Sequence, residues 1–565
     1  MEEWRGHQAP SSTVAGLWHP CGVGRSRSRS LGAVRAVFAN FELRRVELAY
    51  LLFYIARWGM RVAILVFAYE RGGLQETSLV AVILEVPAAV VAPMASVIGD
   101  EMRRERALLA GYAAQAAALA GTAGAIYADA PVAIVYGLTA VATGCMTLTR
   151  PVQSALFPQL AHSPDQLVAA NVVAGSISAA MAFVGPVTSG VLLALGGAGL
   201  AMAVFSGLLL MSALLVVRLQ PHPPSARIGG HPLHEAAAGF RAVAREPDER
   251  LVIGLLVGQS FVRGAVDVLV VVVALELFGL PSSAVGFLSS ALGAGGLLGA
   301  VWGLRLVGKP RLAAALALGL LVYGFGISAL SLAVVAVMAF AILVGAGSGH
   351  ALADMAGRTL LQRLVPDPIL ARVFGVLEGL HQAGVAAGSA VSPLLVAAFG
   401  IRGGSLVVGL LLPAAILLLR SRIRSIDDRA MPIPERELAI LRSVDLFASL
   451  PAPEFEGLAA RLEEIAAKPG ALIVREGEPG TRFYVIADGE VEVNRGGRPV
   501  ATLGHGNYFG EIALLRHVPR TATVVAKTPV TLLALEREDF LEEVTGHPVV
   551  REVAGVTAWE RTPKE

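Results

Sequence analysis

Residues 509–524 read FGEIALLRHVPRTATV, and the pattern around them decides how the C-terminal part of the chain is interpreted. Short apolar runs surround this stretch, at positions 472–474, 483–486, 491–493, 499–503, 521–526 and 530–535. Glycines punctuate the runs, at positions 470, 477, 480, 489, 496, 497, 504 and 506. Short alternating segments with glycine-bearing turns predict an antiparallel β-roll. Residues 435–446 and 453–466 predict flanking helices, so we expect one soluble domain over residues 435–565.

The stretch at 509–524 resembles the phosphate-binding cassette of cyclic-nucleotide-binding domains in kinases, channels and bacterial catabolite activators. Three upstream segments fit the same family, namely LRSVDLF at 441–447, GEPG at 477–480 and FYVI at 483–486. The resemblance implies cyclic AMP or cyclic GMP as a regulatory ligand. It implies a site made of Phe509, Gly510, Glu511, Ile512, Ala513, Arg520, Thr521 and Ala522. The alternative is a domain that keeps the fold and has lost the ligand.

The residue types in this cassette suit a cyclic phosphate, which carries one negative charge. A short helix beginning near Gly510 would direct backbone amides at the phosphate, and Arg520 would add a forked pair of charge-assisted hydrogen bonds. We expect Glu511 to accept a hydrogen bond from the ribose 2′-hydroxyl, because a buried carboxylate is costly without a partner.

The base preference stays open on the sequence. Thr521 stands where cyclic-GMP kinases of the family carry threonine, yet members that respond to cyclic AMP carry threonine there too. A C-terminal helix is expected to cover the purine, through Val549, Val550, Val553 or Trp559.

The composition places the rest of the chain in lipid. Of the 565 residues, 55% are hydrophobic and 16% charged, which is not the composition of a soluble protein. The 46 basic and 44 acidic residues nearly cancel, so bulk charge gives no nucleic-acid-binding surface. Two cysteines, Cys21 and Cys145, are too few for a disulfide framework or a zinc site, and we expect no metal.

Apolar runs long enough to cross about 30 Å of hydrocarbon recur between residues 47 and 419. They predict an all-α membrane bundle of twelve transmembrane helices in a six-plus-six arrangement. The predicted spans are 47–69, 78–98, 106–127, 131–149, 167–195, 200–217, 251–278, 284–306, 312–330, 333–353, 373–398 and 401–419.

Positively charged flanks stay on the cytoplasmic side, and arginines crowd one set of the breaks between spans. This predicts cytoplasmic termini and a cytoplasmic β-roll. The predicted domains are a disordered cytoplasmic tail at 1–43, half-bundles at 44–218 and 251–420, a central cytoplasmic loop at 219–250, and a linker at 421–434 before the β-roll domain at 435–565. A composition rich in arginine, alanine, glycine and valine is typical of GC-rich bacteria, so we expect a bacterial inner membrane.

Residues 44–420 resemble the major facilitator superfamily, particularly its drug and siderophore exporters. Asp100, Arg103 and Arg104 resemble the family's loop between the second and third helices, which latches neighbouring helices. Arg150, followed by Gln153, resembles a signature of proton-coupled exporters. Gly185, Pro186 and Gly190 resemble an antiporter element in which glycines permit close helix approach and proline bends the helix. The resemblance implies a secondary transporter with its substrate site between the two halves.

Charged residues inside apolar spans are singled out for attention, because a charge at membrane depth is costly and is usually functional. They are Arg57, Arg61, Glu85, Arg263, Asp267, Asp354, Arg358 and Glu378. Among them, Glu85, Arg263, Asp267 and Glu378 are the coupling or substrate candidates, and we expect the three carboxylates to lie in apolar surroundings with a raised pKa. We expect Asp354 and Arg358, four residues apart, to form a structural ion pair. His350 and His381 are interpreted as ordinary helix residues.

The sequence predicts a small-molecule exporter, not an enzyme, regulated by cyclic nucleotide and embedded in a lipid bilayer. Two alternatives remain open, a membrane receptor that senses a ligand without moving it and a lipid translocase. A channel is disfavoured, because no pore loop interrupts the spans. The substrate, coupling ion, sign of regulation and oligomeric state are not predicted.

Overall fold

The computed structural model describes residues 35–91, 104–161, 164–217, 219, 240–241, 243–303, 311–365, 367–429, 435–442, 444, 447, 458–459, 461–516 and 518–546. The chain divides into two compact units, and the main boundary falls between Arg424 and Ser425. We call the first unit the helical bundle and the second the β-roll. The predicted disordered tail at 1–43 is described only from residue 35, and residues 35–39 and 41–43 are helical, so this end of it is not the disordered segment that we expected. The central loop from 220 to 239 and the predicted purine lid lie outside the described residues.

Nine helical segments of at least 18 residues make up most of the described part of the helical bundle. They are α1 Phe41–Val91, α2 Arg104–Tyr127, α3 Val132–Leu160, α4 Pro164–Val216, α5 Pro247–Val272, α6 Ser283–Gly303, α7 Leu312–Ala329, α8 Ala336–Leu364 and α9 Asp367–Arg429. A single π-helical turn, Val273–Leu277, extends α5, and a 3-10 turn, Leu330–Leu332, follows α7.

Three of these helices are interrupted by glycines with positive φ. The breaks fall at Gly73 (φ 64°) in α1, Gly197 (φ 70°) in α4 and Gly400 (φ 70°) in α9. An unbroken helix of 51 residues, the length of α1, would extend about 76 Å, far more than a membrane is thick. The breaks coincide with the polar breaks predicted after residues 69, 195 and 398, so each long helix consists of two of the predicted spans.

Within the described residues, seven helices are long and apolar enough to cross a membrane by length and composition. Helices α3 and α5 are not among them, and α5 holds the charged residues Arg263 and Asp267. Since three of the seven contain a glycine break, helices and crossings do not correspond one to one. The number of twelve crossings stays a prediction.

Small residues bring the helices into close contact. A Cβ on Gly286 of α6 would lie 2.4 Å from the carbonyl oxygen of Pro186 and 2.6 Å from Cα of Gly190, both in α4. A Cβ on Gly388 of α9 would lie 1.8 Å from the carbonyl oxygen of Phe261 in α5. Glycine allows such backbone contact, which supplies van der Waals packing where lipid weakens the hydrophobic effect. The crossing of α4 and α6 joins the two predicted halves of the bundle.

The β-roll begins with α10 (Glu435–Arg442) and consists of two four-stranded antiparallel sheets. The strands are β1 Glu463–Ala467, β2 Leu472–Val474, β3 Arg482–Asp488, β4 Val491–Arg495, β5 Arg498–Leu503, β6 Tyr508–Phe509, β7 Thr523–Ala526 and β8 Val530–Glu536. Helix α11 (Glu511–Arg516) follows β6, and α12 (Arg537–Gly546) follows β8. The strand orders are β1-β8-β3-β6 and β2-β7-β4-β5.

Side chains that alternate between the two faces of the strands fill the core between the sheets and beneath the helices. Ile486, Val491, Val524 and Leu532 are buried inside the roll. On the opposite face of β3, Phe483 stacks on Phe540 of α12 with ring centroids 4.7 Å apart. Because successive side chains of a strand face opposite sides, β3 is buried on both faces and forms the centre of the domain.

A further sequence prediction was wrong in detail. Residues 463–467 form β1, paired with β8, instead of the end of a helix over 453–466, because pairing with β8 outweighs a local helical pattern. The segment predicted as a linker at 421–434 is helical up to Arg429, since residues 421–429 contain neither proline nor glycine, and its role as a linker stays a prediction. The strands β1 and β6 were not predicted, and the other six occupy the predicted runs.

Candidate ligand sites in the β-roll and the helical bundle

A cavity of ≈ 320 Å³ opens in the β-roll beside α11. All eight residues predicted for the nucleotide site line it, and Val474, Val493, Arg495, Val500 and Ala501 are further lining residues. Its volume is within the range of small-molecule sites, roughly 300–1,000 Å³. The fold therefore brings the cassette residues into one cavity, as the sequence predicted.

Gly510 connects β6 to α11 with a φ of 96°. A Cβ at this position would lie 2.6 Å from Nη1 of Arg520 and 3.0 Å from the carbonyl oxygen of Arg482. Glycine is therefore required both by the backbone conformation and by the space that the arginine occupies.

Arg520 is the buried cation of this cavity, with an exposed fraction of 6%. Its Nη1 donates to the carbonyl oxygen of Gly510 at 3.1 Å and its Nη2 to that of Arg482 at 2.6 Å. The guanidinium carbon lies 5.9 Å from the ring centroid of Tyr484, which stacks on Phe509. Since a guanidinium has five N–H groups, three remain for a ligand.

Burial lowers the pKa of Arg520, against the opposing effects of Tyr484 and Glu511. Arginine nevertheless stays charged in proteins. A buried cation without a full counter-charge is costly, and an anionic ligand would offset that cost. The cavity is therefore chemically suited to an anion with a hydrogen-bonding edge.

Two further residues define the other walls of the cavity. Glu511, the first residue of α11, is 3% exposed and is the acidic group beside Arg520. Arg495 of β4 donates from Nε to the carbonyl oxygen of Thr521 at 3.1 Å, and it was missed by the sequence reasoning. Its position two residues after Val493, on the same face of β4, was the available signal.

In the helical bundle, two adjoining cavities of ≈ 130 and ≈ 340 Å³ lie between the predicted halves. They share Trp58, Arg61, Arg263, Asp267 and His350. We call the smaller the polar chamber and the larger the apolar chamber. Valine, leucine, alanine and glycine make up most of the wall of the apolar chamber.

An ion-pair network crosses the polar chamber. Arg61 of α1 contacts Glu85, also of α1 but beyond the Gly73 break, and reaches Asp267 of α5 at 2.9 Å. Arg263 bonds to Asp267 at 2.9 Å, and its guanidinium lies 5.5 Å from the Trp58 ring. Glu85 and Asp267 therefore have arginine partners and do not lie in the purely apolar surroundings that we expected.

A second pair borders this region. Arg358 donates to Asp354 at 2.9 Å, which is the predicted ion pair, and lies 3.8 Å from Glu378. The side chains of Asp354 and Glu378 are 42% and 41% exposed, so this pair is more open than the network at Asp267. The coupling or substrate role of Glu378 stays a prediction.

The two histidines are not the isolated helix residues that we expected. His350 lines both chambers, and its Nδ1 lies 2.7 Å from Nε2 of Gln259. His381 lines the polar chamber, and its Nδ1 lies 2.6 Å from Oγ of Ser260. Both were missed because residues of different helices meet only in the folded bundle.

The transporter motifs are only partly described. Asp100 and Arg103 lie outside the described residues, and Arg104 begins α2. Arg150 belongs to α3, and its side chain lies outside the description. Gly185 contacts α1 closely, with a Cβ position 2.7 Å from Cβ of Trp58, and Gly190 and Pro186 form the contact with α6. No group of three or more potential metal ligands occurs within the described ranges.

These features define a class: a polytopic membrane protein with charged chambers between its helices and a separate small-molecule-binding β-roll. Comparison with known families makes the class specific. The family model described as Major Facilitator Superfamily matches residues 46–367, more than half of the chain, and the chain belongs to that superfamily. The model described as Cyclic nucleotide-binding domain matches residues 464–547, so a domain of that family is fused to the transporter domain.

Relatives outside the superfamily match at the β-roll. The cAMP-dependent protein kinase regulatory subunit of Yarrowia lipolytica is 41% identical over 102 residues, which are 18% of this chain and 27% of that protein. A cyclic nucleotide-gated potassium channel of Rhizobium etli is 40% identical over 139 residues, 23% of this chain and 39% of that protein. The chain thus spans well under half the length of these curated relatives.

Among solved structures, the regulatory domain of Toxoplasma gondii PKA in co-crystal with cAMP is similar at 29% identity. The match covers 25% of this chain and 56% of that one, with a TM-score of 0.22.

Proposed function

We propose that the protein is a secondary active transporter that exports a small molecule across a bacterial inner membrane. In this proposal, cyclic AMP or cyclic GMP binds the cytoplasmic β-roll and regulates transport. The substrate occupies the chambers between the two halves, and the halves rock about it in alternating access. Membership of the superfamily and the charged network at membrane depth support transport.

The observation that carries the regulatory part is buried Arg520 in the ≈ 320 Å³ cavity of the β-roll. The cyclic phosphate accepts hydrogen bonds from the N–H groups of Arg520 that the protein leaves open. Glu511 accepts a hydrogen bond from the ribose 2′-hydroxyl. The purine contacts Val493, Val500 and Ala501. A cavity wall that combines a buried arginine, a carboxylate and apolar side chains suits a nucleotide better than an inorganic phosphate.

Regulation requires that the nucleotide binds the transporter conformations with different affinity, because a ligand shifts an equilibrium only by its differential affinity. A tenfold change in the population of one conformation needs about 1.4 kcal/mol of such a difference. This magnitude is small beside the affinity of an ordinary nucleotide site, so weak coupling suffices.

Binding is tested by calorimetry on the solubilised full-length protein with each nucleotide. We expect saturable binding by the wild type and a loss of affinity of about 100-fold in Arg520→Ala, since removing one partner of a buried charged pair costs roughly 2–5 kcal/mol. Arg475→Ala is the matched control, because the Arg475 side chain is 65% exposed. A wild type that binds neither nucleotide would remove the regulatory model.

Transport is tested with inverted membrane vesicles, in which the predicted cytoplasmic face is outside and accessible to nucleotide. We expect uptake of at least one labelled compound from a library of organic solutes, at a rate that nucleotide changes in the wild type and not in Arg520→Ala. Nucleotide binding without any effect on uptake would contradict regulation. Binding without uptake of any solute would favour the receptor alternative.

A further inference from the structure

Arg57 is a charged residue at membrane depth for which the ion-pair network gives no partner. It lies near the middle of the α1 segment between Phe41 and Gly73, so its charge is far from both ends of the helix. The side chain is half-buried and lines the polar chamber. An arginine in this position is costly unless a charged or polar partner is bound there.

The charges around the polar chamber do not balance. Arg57, Arg61 and Arg263 line it, against only two carboxylates, Glu85 and Asp267. Those carboxylates already have partners, because Arg61 contacts both and Arg263 contacts Asp267. Among the described lining residues, the excess positive charge is therefore that of Arg57, before any charge on the two histidines is counted.

Among the described lining residues a cationic substrate finds no carboxylate without an arginine partner, since Asp354, in the wall of the apolar chamber, is paired with Arg358. It would have to displace an arginine from Glu85 or Asp267, and that arginine would then remain buried without a partner. An anion meets the opposite situation, because it neutralises Arg57 and leaves the existing pairs intact. The charge pattern thus discriminates against cations as well as favouring anions.

The apolar chamber adds the second half of the recognition. It adjoins the polar chamber, measures ≈ 340 Å³ and is lined by side chains such as Val62, Leu65, Val270, Val285 and Leu292. A hydrophilic anion would leave this wall in contact with water. An anion with an apolar body buries it, at about 25 cal/mol per Å² of apolar surface removed from water.

We propose that the helical bundle binds an amphipathic organic anion, with its charged group at Arg57 and its apolar body in the apolar chamber. This substrate class rests on the proposed transport function. It names a chemistry, a single carboxylate, sulfonate or phosphate on a hydrocarbon or aromatic body, that the two adjoining chambers recognise together.

The test is calorimetric titration of the solubilised full-length protein with probes matched in shape and opposite in charge. The probes are naphthalene-2-sulfonate, decanesulfonate and naphthalen-2-ylmethylammonium. We expect saturable binding of a sulfonate at least tenfold tighter than binding of the ammonium. Arg57→Gln should lose at least tenfold in sulfonate affinity, and Arg57→Lys should retain most of it.

Two controls assign the effect to the chamber. Arg71→Gln removes an arginine that lies over Phe67 and does not line either chamber, and it should bind the sulfonate as the wild type does. Arg520→Ala tests whether the sulfonate binds in the β-roll instead, because a loss of sulfonate affinity in this variant but not in Arg57→Gln would overturn the assignment to the chamber. The midpoint of thermal unfolding of each variant separates lost binding from lost folding.

The outcomes separate this inference from the proposed function. Absence of saturable binding by both sulfonates, equal or tighter binding of the ammonium, or unchanged binding in Arg57→Gln would each overturn the substrate class. Uptake of cations by vesicles would overturn the substrate class but would still support the transport function. Sulfonate binding at Arg57 without uptake of any solute would leave the binding site standing and remove transport.

Discussion

Gly510 and Arg520 depend on one another, and their pairing shows how a motif is fixed at the scale of single residues. Gly510 has a φ of 96°, and its missing side chain leaves the space that the Arg520 guanidinium fills. Arg520 in turn bonds to the carbonyl oxygen of Gly510. A side chain added at Gly510 therefore displaces the Arg520 guanidinium, and removal of that guanidinium removes a hydrogen bond to Gly510.

We predict that Gly510→Ala lowers the free energy of unfolding of the β-roll by roughly 1–3 kcal/mol, because a side chain is strained at this φ. It should also abolish nucleotide binding, since the new Cβ would lie 2.6 Å from Nη1 of Arg520. Gly497→Ala is the matched control: its φ is 78°, but no atom lies within 4 Å of a Cβ there. Calorimetry should show that only Gly510→Ala loses the nucleotide, and equal losses in both variants would refute the steric argument.

At the scale of elements, the glycines of α4 and α6 set how the two halves of the bundle approach. The backbones meet at Gly190 and Gly286, where a Cβ on Gly286 has no room. Close backbone contact replaces the hydrophobic effect as the source of helix association in lipid. The motif at Gly185, Pro186 and Gly190 thus has a packing role in addition to any role that the superfamily resemblance implies.

We predict that Gly286→Val destabilises the solubilised protein by about 1–3 kcal/mol, because a packed crossing tolerates no added side chain. The measurement is the midpoint of thermal unfolding, together with uptake by vesicles, which should fall. Gly207→Val in α4 is the control, since nothing lies within 4 Å of a Cβ at Gly207. If the two valine variants unfolded at the same temperature, the crossing would not depend on Gly286.

At the scale of the whole bundle, Asp267 joins the halves electrostatically. It binds Arg61 from the first half and Arg263 from its own helix, and its side chain is only 11% exposed. Its loss would leave two half-buried arginines with one carboxylate fewer between them.

We predict that Asp267→Asn lowers the free energy of unfolding of the bundle by about 3–5 kcal/mol, the usual cost of breaking a buried ion pair on one side. The double variant Asp267→Asn with Arg263→Gln should recover part of that loss, because one unpaired charge is removed. Asp354→Asn is the control: its side chain is 42% exposed, so we expect a loss below about 1 kcal/mol. The measurement is the midpoint of thermal unfolding of the three variants. A double variant that is less stable than Asp267→Asn would contradict the charge argument.

The β-roll was largely predictable because its residues are close in sequence. The cassette residues from Phe509 to Ala522 lie within one short stretch of sequence, and glycine turns mark the strands around it. The strand β1 was not predictable, since residues 463–467 are extended only through their pairing with β8, almost 70 residues away. Arg495 was missed for the same reason, because its partner Thr521 lies 26 residues away, in the bend before β7.

The sequence by itself determined the class of each part: apolar runs separated by polar breaks indicated a polytopic bundle, and the cassette indicated the nucleotide-binding family. The hydrophobic period, the length of the apolar runs and the local motifs are enough to assign these classes, because neighbouring residues set each of them. Only the tertiary structure decided which charges meet. Arg61, Glu85, Arg263 and Asp267 are up to about 200 residues apart and form one network, while Arg57, on the same helix as Arg61, has no ion-pair partner among the residues that the structure describes. Coulomb interactions at membrane depth depend on distances of a few ångströms between helices, and no spacing along the chain encodes those distances.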